Sequence, residues 1–201
     1  MAVHMIVLAA GFSKRYGKNK LLTVFQGKPL YLHVIDHLSK IKKIKSEKTT
    51  LTVVTQYQEI VREMEKRKIS VVCNNHSADG ISSSLQTGLN FVLRNLSDGK
   101  EDNEKEYFCF FVGDQPYLQH ETIELFLEGY LMSKKGIGCP RGGDRNGNPV
   151  IFSNKYIDEL MALKGDVGGK KVLRSHKEDV YFYDVINKKE LFDIDRPENH
   201  L

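Results

Sequence analysis

The segment at residues 8–20, LAAGFSKRYGKNK, combines small residues with positive charges. It follows an apolar, β-branched run at residues 3–8, so it leaves the end of a predicted strand, where open α/β sheets bind their ligands. The small residues let the backbone approach a ligand, and the loop amides together with Arg15 and Lys20 can face oxyanions. The segment therefore predicts a triphosphate cradle. Its candidate nucleotide-binding residues are Leu8, Ala9, Ala10, Gly11, Ser13, Arg15 and Lys20.

This cradle differs from two common phosphate-binding motifs. A Walker loop reads G-x-x-x-x-G-K-[ST] and a dinucleotide fingerprint reads G-x-G-x-x-G, and residues 8–20 contain neither. The alternative interpretation is a polar strand-to-helix loop whose cations are merely solvated. The charges alone would favour this alternative, but the segment resembles a known family signature at eight positions directly after a strand, and this resemblance favours the cradle.

A carboxylate stands at the end of a second apolar run, in FCFFVGDQP at residues 108–116. Asp114 emerges where this strand stops, and Pro116 ends the strand pairing. A triphosphate brings a divalent cation, Mg²⁺ or Mn²⁺, to which proteins usually contribute one or two carboxylates. We therefore predict that Asp114 binds both the metal and the nucleotide, although it would also suit a cap on the helix predicted at residues 119–132.

Three later segments offer polar groups to the base and to a second substrate. In residues 74–89, Gly80 permits close approach, and Ser82, Ser83 and Ser84 offer hydroxyls to a nucleotide base or to a helix cap. Gly80 and Ser84 are the candidate base contacts, with the helix cap as the alternative. Glycine-rich loops at residues 141–149 and 165–170 offer amide donors and a cation, with ordinary turn formation as the alternative. The candidate acceptor-binding residues are Asn148, Asp166 and Gly168.

Alternating apolar runs and amphipathic segments must position these groups. The β-α-β-α-β-α-β series that ends at residue 112 predicts a parallel sheet with right-handed crossovers. Parallel strands end at one edge, so we expect the Gly11 loop and Asp114 to meet there. Strands are predicted at residues 3–8, 51–55, 69–73, 107–112, 150–152 and 181–183, and helices at 29–41, 59–68, 82–96 and 119–132.

Composition is that of a single cytoplasmic α/β domain spanning residues 1–201. The formal charge of +4 is small against 30 basic and 26 acidic residues. Basic segments at 40–48 and 62–68 are interpreted as solvated helix faces, and nucleic-acid binding is not indicated. No apolar run reaches the roughly 18 residues of a membrane span, and the chain enters a strand at once rather than a signal sequence.

The cysteines number three, Cys73, Cys109 and Cys139, and they are widely spaced. Each lies beside strand-like sequence, and no C-x-x-C pair is present. We expect buried, reduced thiols and no zinc site.

The motifs together resemble a known family. Residues 8–20 resemble the L-A-A-G-x-S-x-R-x-G-x-x-K signature of nucleotidyltransferases with a GT-A-like Rossmann domain. The motifs GDQP, GNPVIF, GDVGGKKVL and DIDRPEN follow in order up to residue 199. Over almost its whole length the chain therefore resembles the molybdenum cofactor cytidylyltransferases and their xanthine dehydrogenase accessory relatives. The resemblance implies an α/β, Rossmann-like three-layer sandwich of the GT-A nucleotide-diphospho-sugar transferase type, with a mostly parallel central sheet.

The resemblance also implies a reaction. Such enzymes transfer CMP from CTP to the terminal phosphate of the molybdopterin-bound molybdenum cofactor and release pyrophosphate, and a molybdenum hydroxylase receives the product. The candidate catalytic residues are Arg15 for the β- and γ-phosphates, Lys20 for the α-phosphate and leaving oxygen, and Asp114 for the metal. Asp195 in DIDRP is the candidate second metal ligand, with an Asx-type turn before Pro197 as the alternative.

Three other functions are compatible with the same residues. One is a guanylyltransferase that uses GTP on the same cofactor. Another is a nucleotidyltransferase acting on a sugar or polyol phosphate such as methylerythritol phosphate. The last is a non-catalytic chaperone that inserts the cofactor into a molybdenum hydroxylase. Retention of Arg15, Lys20 and Asp114 favours an enzyme over the chaperone.

Overall fold

The computed structural model describes residues 1–12, 19–96 and 105–194. Ser13, Arg15 and Asp195 lie outside these ranges. In chain order the main elements are β1 Ala2–Ala9, β2 Val24–Phe25, β3 Lys28–Pro29, α1 Leu30–Leu38, β4 Lys43–Ile44, β5 Glu47–Thr55, α2 Gln58–Lys66, β6 Ser70–Cys73, α3 Ile81–Leu96, β7 Glu106–Val112, α4 His120–Ser133, β8 Ile137–Gly142, β9 Arg145–Asn146, β10 Val150–Ser153, α5 Ile157–Met161, α6 Lys170–Ser175 and β11 Val180–Asp184. Within these ranges no helix is both long enough and apolar enough to cross a membrane.

The central sheet is mixed but mostly parallel. Its strands lie in the order β11-β8-β10-β7-β1-β5, with β4 and β6 on the outer side of β5 and β9 beside β8. Strands β6, β5, β1 and β7 run parallel, as the sequence predicted, whereas β10 is antiparallel to both of its neighbours. Only residues 143–149 separate β10 from β8, which is too short for the crossover that parallel neighbours require.

Helices cover both faces of the sheet, which confirms the predicted α/β class with helical layers on either side. One core cluster joins Val3, Met5 and Val7 of β1 to α1, α2 and α4, and a second joins Ile6 to α3, α5 and α6. Successive side chains of a strand point to opposite faces, so a strand buried on both sides must be largely apolar. This explains the apolar run of β1, in which the buried His4 forms hydrogen bonds with Thr50 and Glu106.

Several predicted elements differ from the structure. Helix α1 spans Leu30–Leu38 rather than residues 29–41, because Pro29 has the extended backbone of β3. The basic segment at residues 40–48 is not a helix face, since it forms a turn, β4 and the start of β5. Strand β8 was missed because the glycine, proline and arginine in IGCPRG obscure its pattern.

The cysteines are all free thiols, but only two of them are buried. Burial raises the pKa of Cys139 to about 11 and that of Cys109 well above its usual value. Cys73 is exposed at the end of β6, where the prediction of burial was wrong.

Helix α3 lies unusually close to the centre of the sheet. A Cβ atom at Gly88 would stand 2.6 Å from Cγ2 of Ile6 and 2.8 Å from Cγ2 of Val54. These side chains belong to β1 and β5, where the packing is tight and offers no room to shift. The glycine is therefore needed for the contact between helix and sheet.

We predict that Gly88→Ala destabilises the fold. The overlap should cost about 1–3 kcal/mol, against a gain of about 1 kcal/mol in helix propensity, so the net loss should reach about 2 kcal/mol. Urea unfolding measures it. Asn90→Ala, on the same helix and half-buried, is the control and should stay within about 0.5 kcal/mol of the parent. Unchanged stability of Gly88→Ala would show that α3 can retreat without cost.

Candidate functional site

A cleft of about 730 Å³ opens at the carboxyl edge of the parallel strands. It lies between the loops that follow β1 and β7 on one side and the loops that precede α3 and α6 on the other. The structure therefore brings the glycine loop and Asp114 together as predicted. Of the predicted nucleotide-binding residues, the cleft is lined by Leu8, Ala10, Gly11, Lys20, Gly80, Ser84 and Asp114. Ala9 does not line it, because its side chain is fully buried in the core at the end of β1.

The glycine of the first loop faces open space. A Cβ atom at Gly11 would meet no described atom within 4 Å, although Gly11 lines the cleft. Within the described protein, an alanine would fit at this position. The small residue is thus compatible with the approach of a ligand, and protein packing does not require it.

The chemistry of the cleft centres on an ion pair between Lys20 and Asp114. Nζ of Lys20 lies 2.6 Å from Oδ2 of Asp114, and both side chains are more than four-fifths buried. A short 3₁₀ turn at Lys20–Leu22 presents the lysine, and Oδ1 of Asn19 accepts a hydrogen bond from the N–H of Leu21 at the start of that turn. Leu21 is buried against Gly113, so the turn and the aspartate are held together.

Asp114 is also fixed through its backbone. The N–H of Ile194 donates to the Asp114 carbonyl oxygen at 3.0 Å, and Ile194 packs with Phe25 and Leu30 in a small separate core. Among the described residues, no group of three His, Cys, Asp or Glu side chains could hold a metal ion. The Asp114 carboxylate fits a Mg²⁺ or Mn²⁺ site that nucleotide phosphates would complete, because such sites need only one or two protein carboxylates.

Gly80 has a structural role that the sequence did not reveal. Its φ is +96°, and a Cβ atom there would overlap the carbonyl group of Gly165 and lie 2.6 Å from the backbone nitrogen of Asp166. Ser82 stabilises the same contact with two hydrogen bonds to the Gly165 carbonyl oxygen. Its hydroxyl donates at 2.8 Å and its backbone N–H at 3.2 Å. The loops before α3 and α6 thus form one unit.

Ser84, which lines the cleft, is hydrogen-bonded by a residue that sequence reasoning missed. Asn74, almost fully buried, donates from Nδ2 to the hydroxyl oxygens of Ser83 and Ser84, each at 2.9 Å. Its Oδ1 accepts from the N–H of His76. A polar residue directly after an apolar run was the only signal for Asn74. Neither Ser82 nor Ser83 caps α3 in the expected way, since both hydroxyls donate to carbonyl oxygens.

The three predicted acceptor-binding residues lie together in a second cavity. This cavity of about 280 Å³ is lined by Asn148, Asp166 and Gly168, with largely apolar walls that include Phe110 and Phe152. It adjoins the larger cleft, and the residues lining both are Leu8, Ile81, Val112 and Asp166. Asp166 therefore stands where the two spaces meet.

A cleft at the carboxyl ends of parallel strands is where open α/β domains bind their ligands, and this domain belongs to that class. The sequence profile described as "MobA-like NTP transferase domain" matches residues 5–180. The chain belongs to this family.

Curated relatives agree with this assignment. A "Probable molybdenum cofactor guanylyltransferase" of Pyrococcus horikoshii is 29% identical over 156 residues, which cover 78% of this chain and 66% of that protein. A protein of the same name from Thermococcus sibiricus is 42% identical over 158 residues, again 78% of this chain and 66% of that protein. The chain thus spans slightly less than two thirds of the length of these relatives.

Solved structures share the fold. Molybdopterin-guanine dinucleotide biosynthesis protein A of Archaeoglobus fulgidus superposes with a TM-score of 0.68 at 17% identity, covering 98% of this chain and 94% of that one. A Mycobacterium tuberculosis protein in complex with manganese gives a TM-score of 0.69 at 21% identity, covering 92% and 89%. At these identities the likeness establishes the architecture.

We predict that alanine destabilises the fold at one glycine of the cleft, Gly80, and leaves stability unchanged at the other, Gly11. Gly80→Ala should lower the free energy of unfolding by at least about 2 kcal/mol, because the positive φ and the overlap with backbone both oppose a side chain. Gly11→Ala should stay within about 0.5 kcal/mol of the parent. Thermal and urea unfolding measure both. Equal losses at the two positions would contradict this distinction.

Proposed function

We propose that the protein is a nucleotidyltransferase that transfers GMP from GTP to the terminal phosphate of the molybdenum cofactor and releases pyrophosphate. The observation that carries the proposal is the buried pair of Lys20 and Asp114, which lines the same cleft as the glycine loop. Family membership supports the reaction class, and the names of the curated relatives support GTP. The sequence-based preference for CTP has no such support.

The ion pair suits a metal-bound triphosphate. Without nucleotide, Lys20 and Asp114 neutralise each other at 2.6 Å. A bound magnesium nucleotide offers each a new partner, because the ammonium group pairs with phosphate oxygens and the carboxylate with the cation. The exchange keeps both partly buried charges compensated, which limits the cost of separating them.

Catalysis in this cleft requires positioning and charge neutralisation. In-line attack on the α-phosphorus moves negative charge onto the departing pyrophosphate, so Lys20 is assigned to the α-phosphate and leaving oxygen. Asp114 would hold the divalent cation, which would supply positive charge to the phosphates. Arg15, outside the described residues, is assigned to the β- and γ-phosphates, and Asp195, also outside them, remains the proposed second metal ligand.

The second cavity is assigned to the acceptor. Its apolar walls suit a flat heterocycle, and Asn148 and Asp166 offer polar partners at its rim. Asp166 lines both spaces, so an acceptor phosphate that reached from the second cavity toward the cleft would pass this side chain. Ser84, oriented by Asn74, is assigned to the nucleotide base.

Pyrophosphate release tests the reaction and its nucleotide. With Mg²⁺ and molybdenum cofactor, we expect release from GTP and little from CTP or ATP, and none without the cofactor. Release from CTP instead would support the sequence-based prediction of a cytidylyltransferase. Release only with a sugar or polyol phosphate would show that this compound, and not the molybdenum cofactor, is the acceptor. No release with any nucleotide or acceptor would contradict the enzyme and favour the cofactor-carrying chaperone.

Asp114→Asn tests the proposed metal ligand. The variant keeps the shape of the side chain but loses its charge, so we expect kcat to fall about 100-fold or more while nucleotide affinity changes much less. Asp158→Asn, an exposed carboxylate on α5, is the control and should retain the parent rate. A rate for Asp114→Asn within a factor of three of the parent would exclude Asp114 as the metal ligand.

A further inference from the structure

Three consecutive side chains at the end of β5 donate hydrogen bonds to three consecutive carbonyl oxygens of the loop after β1. We call the three donor residues, Thr55, Gln56 and Tyr57, the carbonyl clamp. The pairs are Thr55 Oγ1 with Ala9 at 2.9 Å, Gln56 Nε2 with Ala10 at 2.6 Å, and Tyr57 Oη with Gly11 at 2.7 Å.

The clamp determines where the amide groups of the loop point. All three peptides are trans, since the cis bond in the described ranges is Asn148–Pro149. A trans peptide directs its N–H opposite to its carbonyl group, so the N–H groups of these peptides, which belong to Ala10, Gly11 and Phe12, point away from the clamp. These last three residues line the cleft. The clamp therefore leaves three amide donors on the cleft side.

Such control matters most beside a glycine. Peptides that flank Gly11 can rotate at little steric cost, because the residue has no Cβ and its surroundings within the described protein are open. A flip would replace an N–H donor with a carbonyl oxygen, whose partial negative charge repels a phosphate. The hydrogen bonds from the clamp to the carbonyl oxygens oppose such a rotation of the peptides.

The clamp itself is firmly anchored. Thr55 is fully buried, its hydroxyl accepts from the N–H of Tyr57 at 3.1 Å, and its carbonyl oxygen accepts from the N–H of Asn74 at 2.8 Å. The Tyr57 ring packs against the core between sheet and helices. Burial raises the pKa of the Tyr57 hydroxyl despite the opposing bond from Gln56, so it remains a donor at neutral pH.

We propose that Gln56 and Tyr57 are positioning residues that aim the N–H groups of Ala10, Gly11 and Phe12 at the triphosphate of the nucleotide. This inference rests on the proposed function for the identity of the ligand, but it concerns residues that no motif singled out. The two side chains act through the backbone of the loop, and they do not touch the substrate themselves.

The test is the affinity of the full chain for inorganic triphosphate, measured by calorimetry and by ¹⁵N chemical shifts of the three loop amides. Tyr57→Phe keeps the ring and removes the donor, and Gln56→Met keeps the length and removes the donor. We expect each variant to weaken triphosphate binding about three- to tenfold. In turnover, KM for the nucleotide should rise while kcat changes less.

A matched control separates positioning from general stability. Tyr130 also donates its hydroxyl to a glycine carbonyl oxygen, that of Gly136 at 3.2 Å, but it joins α4 to β8 away from the cleft. Tyr130→Phe should lose stability without any change in triphosphate affinity. The same pattern in Tyr57→Phe would show a merely structural role and overturn the inference.

The remaining outcomes are also decisive. Wild-type binding of triphosphate without shifts of the three amides, or no binding at all, would overturn the inference. If triphosphate binds through these amides and the clamp variants weaken it, the inference stands even where no pyrophosphate is released with molybdenum cofactor. Failure of the proposed function is therefore distinguishable from failure of the clamp.

Discussion

The structure depends on the burial of β1 between two neighbouring parallel strands. Its residues pair in register with β5 on one side and β7 on the other, and its two faces pack against separate helical layers. A strand held in this way cannot slip, because a shift by one residue would turn every buried side chain to the wrong face. The ends of the three strands are consequently fixed relative to one another, and the polar residues that follow them share one edge.

Loops at this edge are held by a few long-range hydrogen bonds to backbone carbonyl groups. Ser82 secures the loop before α6 through Gly165, and Ile194 secures Asp114. The clamp on the loop after β1 belongs to the same pattern. Each bond satisfies a carbonyl oxygen that a loop would otherwise expose to solvent or leave unpaired, and its net contribution is about 1 kcal/mol. Their larger effect is to fix the directions of amide groups around the cleft.

Under the proposed function, the ion pair in the cleft exchanges its partners when the nucleotide binds. Lys20 and Asp114 are mostly buried, and an unpaired charge in that position would be costly, so they pair with each other until a ligand offers alternatives. A phosphate for the lysine and a cation for the carboxylate would preserve the balance. In the proposed reaction, the charges of Lys20 and Asp114 would thus be compensated both before and after a metal-bound polyphosphate binds.

The sequence by itself determined the β-α alternation, the parallel arrangement of β1, β5, β6 and β7, and the meeting of the glycine loop with Asp114. These follow from local periodicity and from the rule that parallel strands end at one edge. Tertiary structure alone decided the antiparallel β10, the exposure of Cys73, the packing role of Gly80 and the clamp at Gln56 and Tyr57. The reason is physical: Gln56 and Ala10 are 46 positions apart and Ser82 and Gly165 are 83 apart, and no local pattern encodes which distant groups a folded backbone brings within a hydrogen bond.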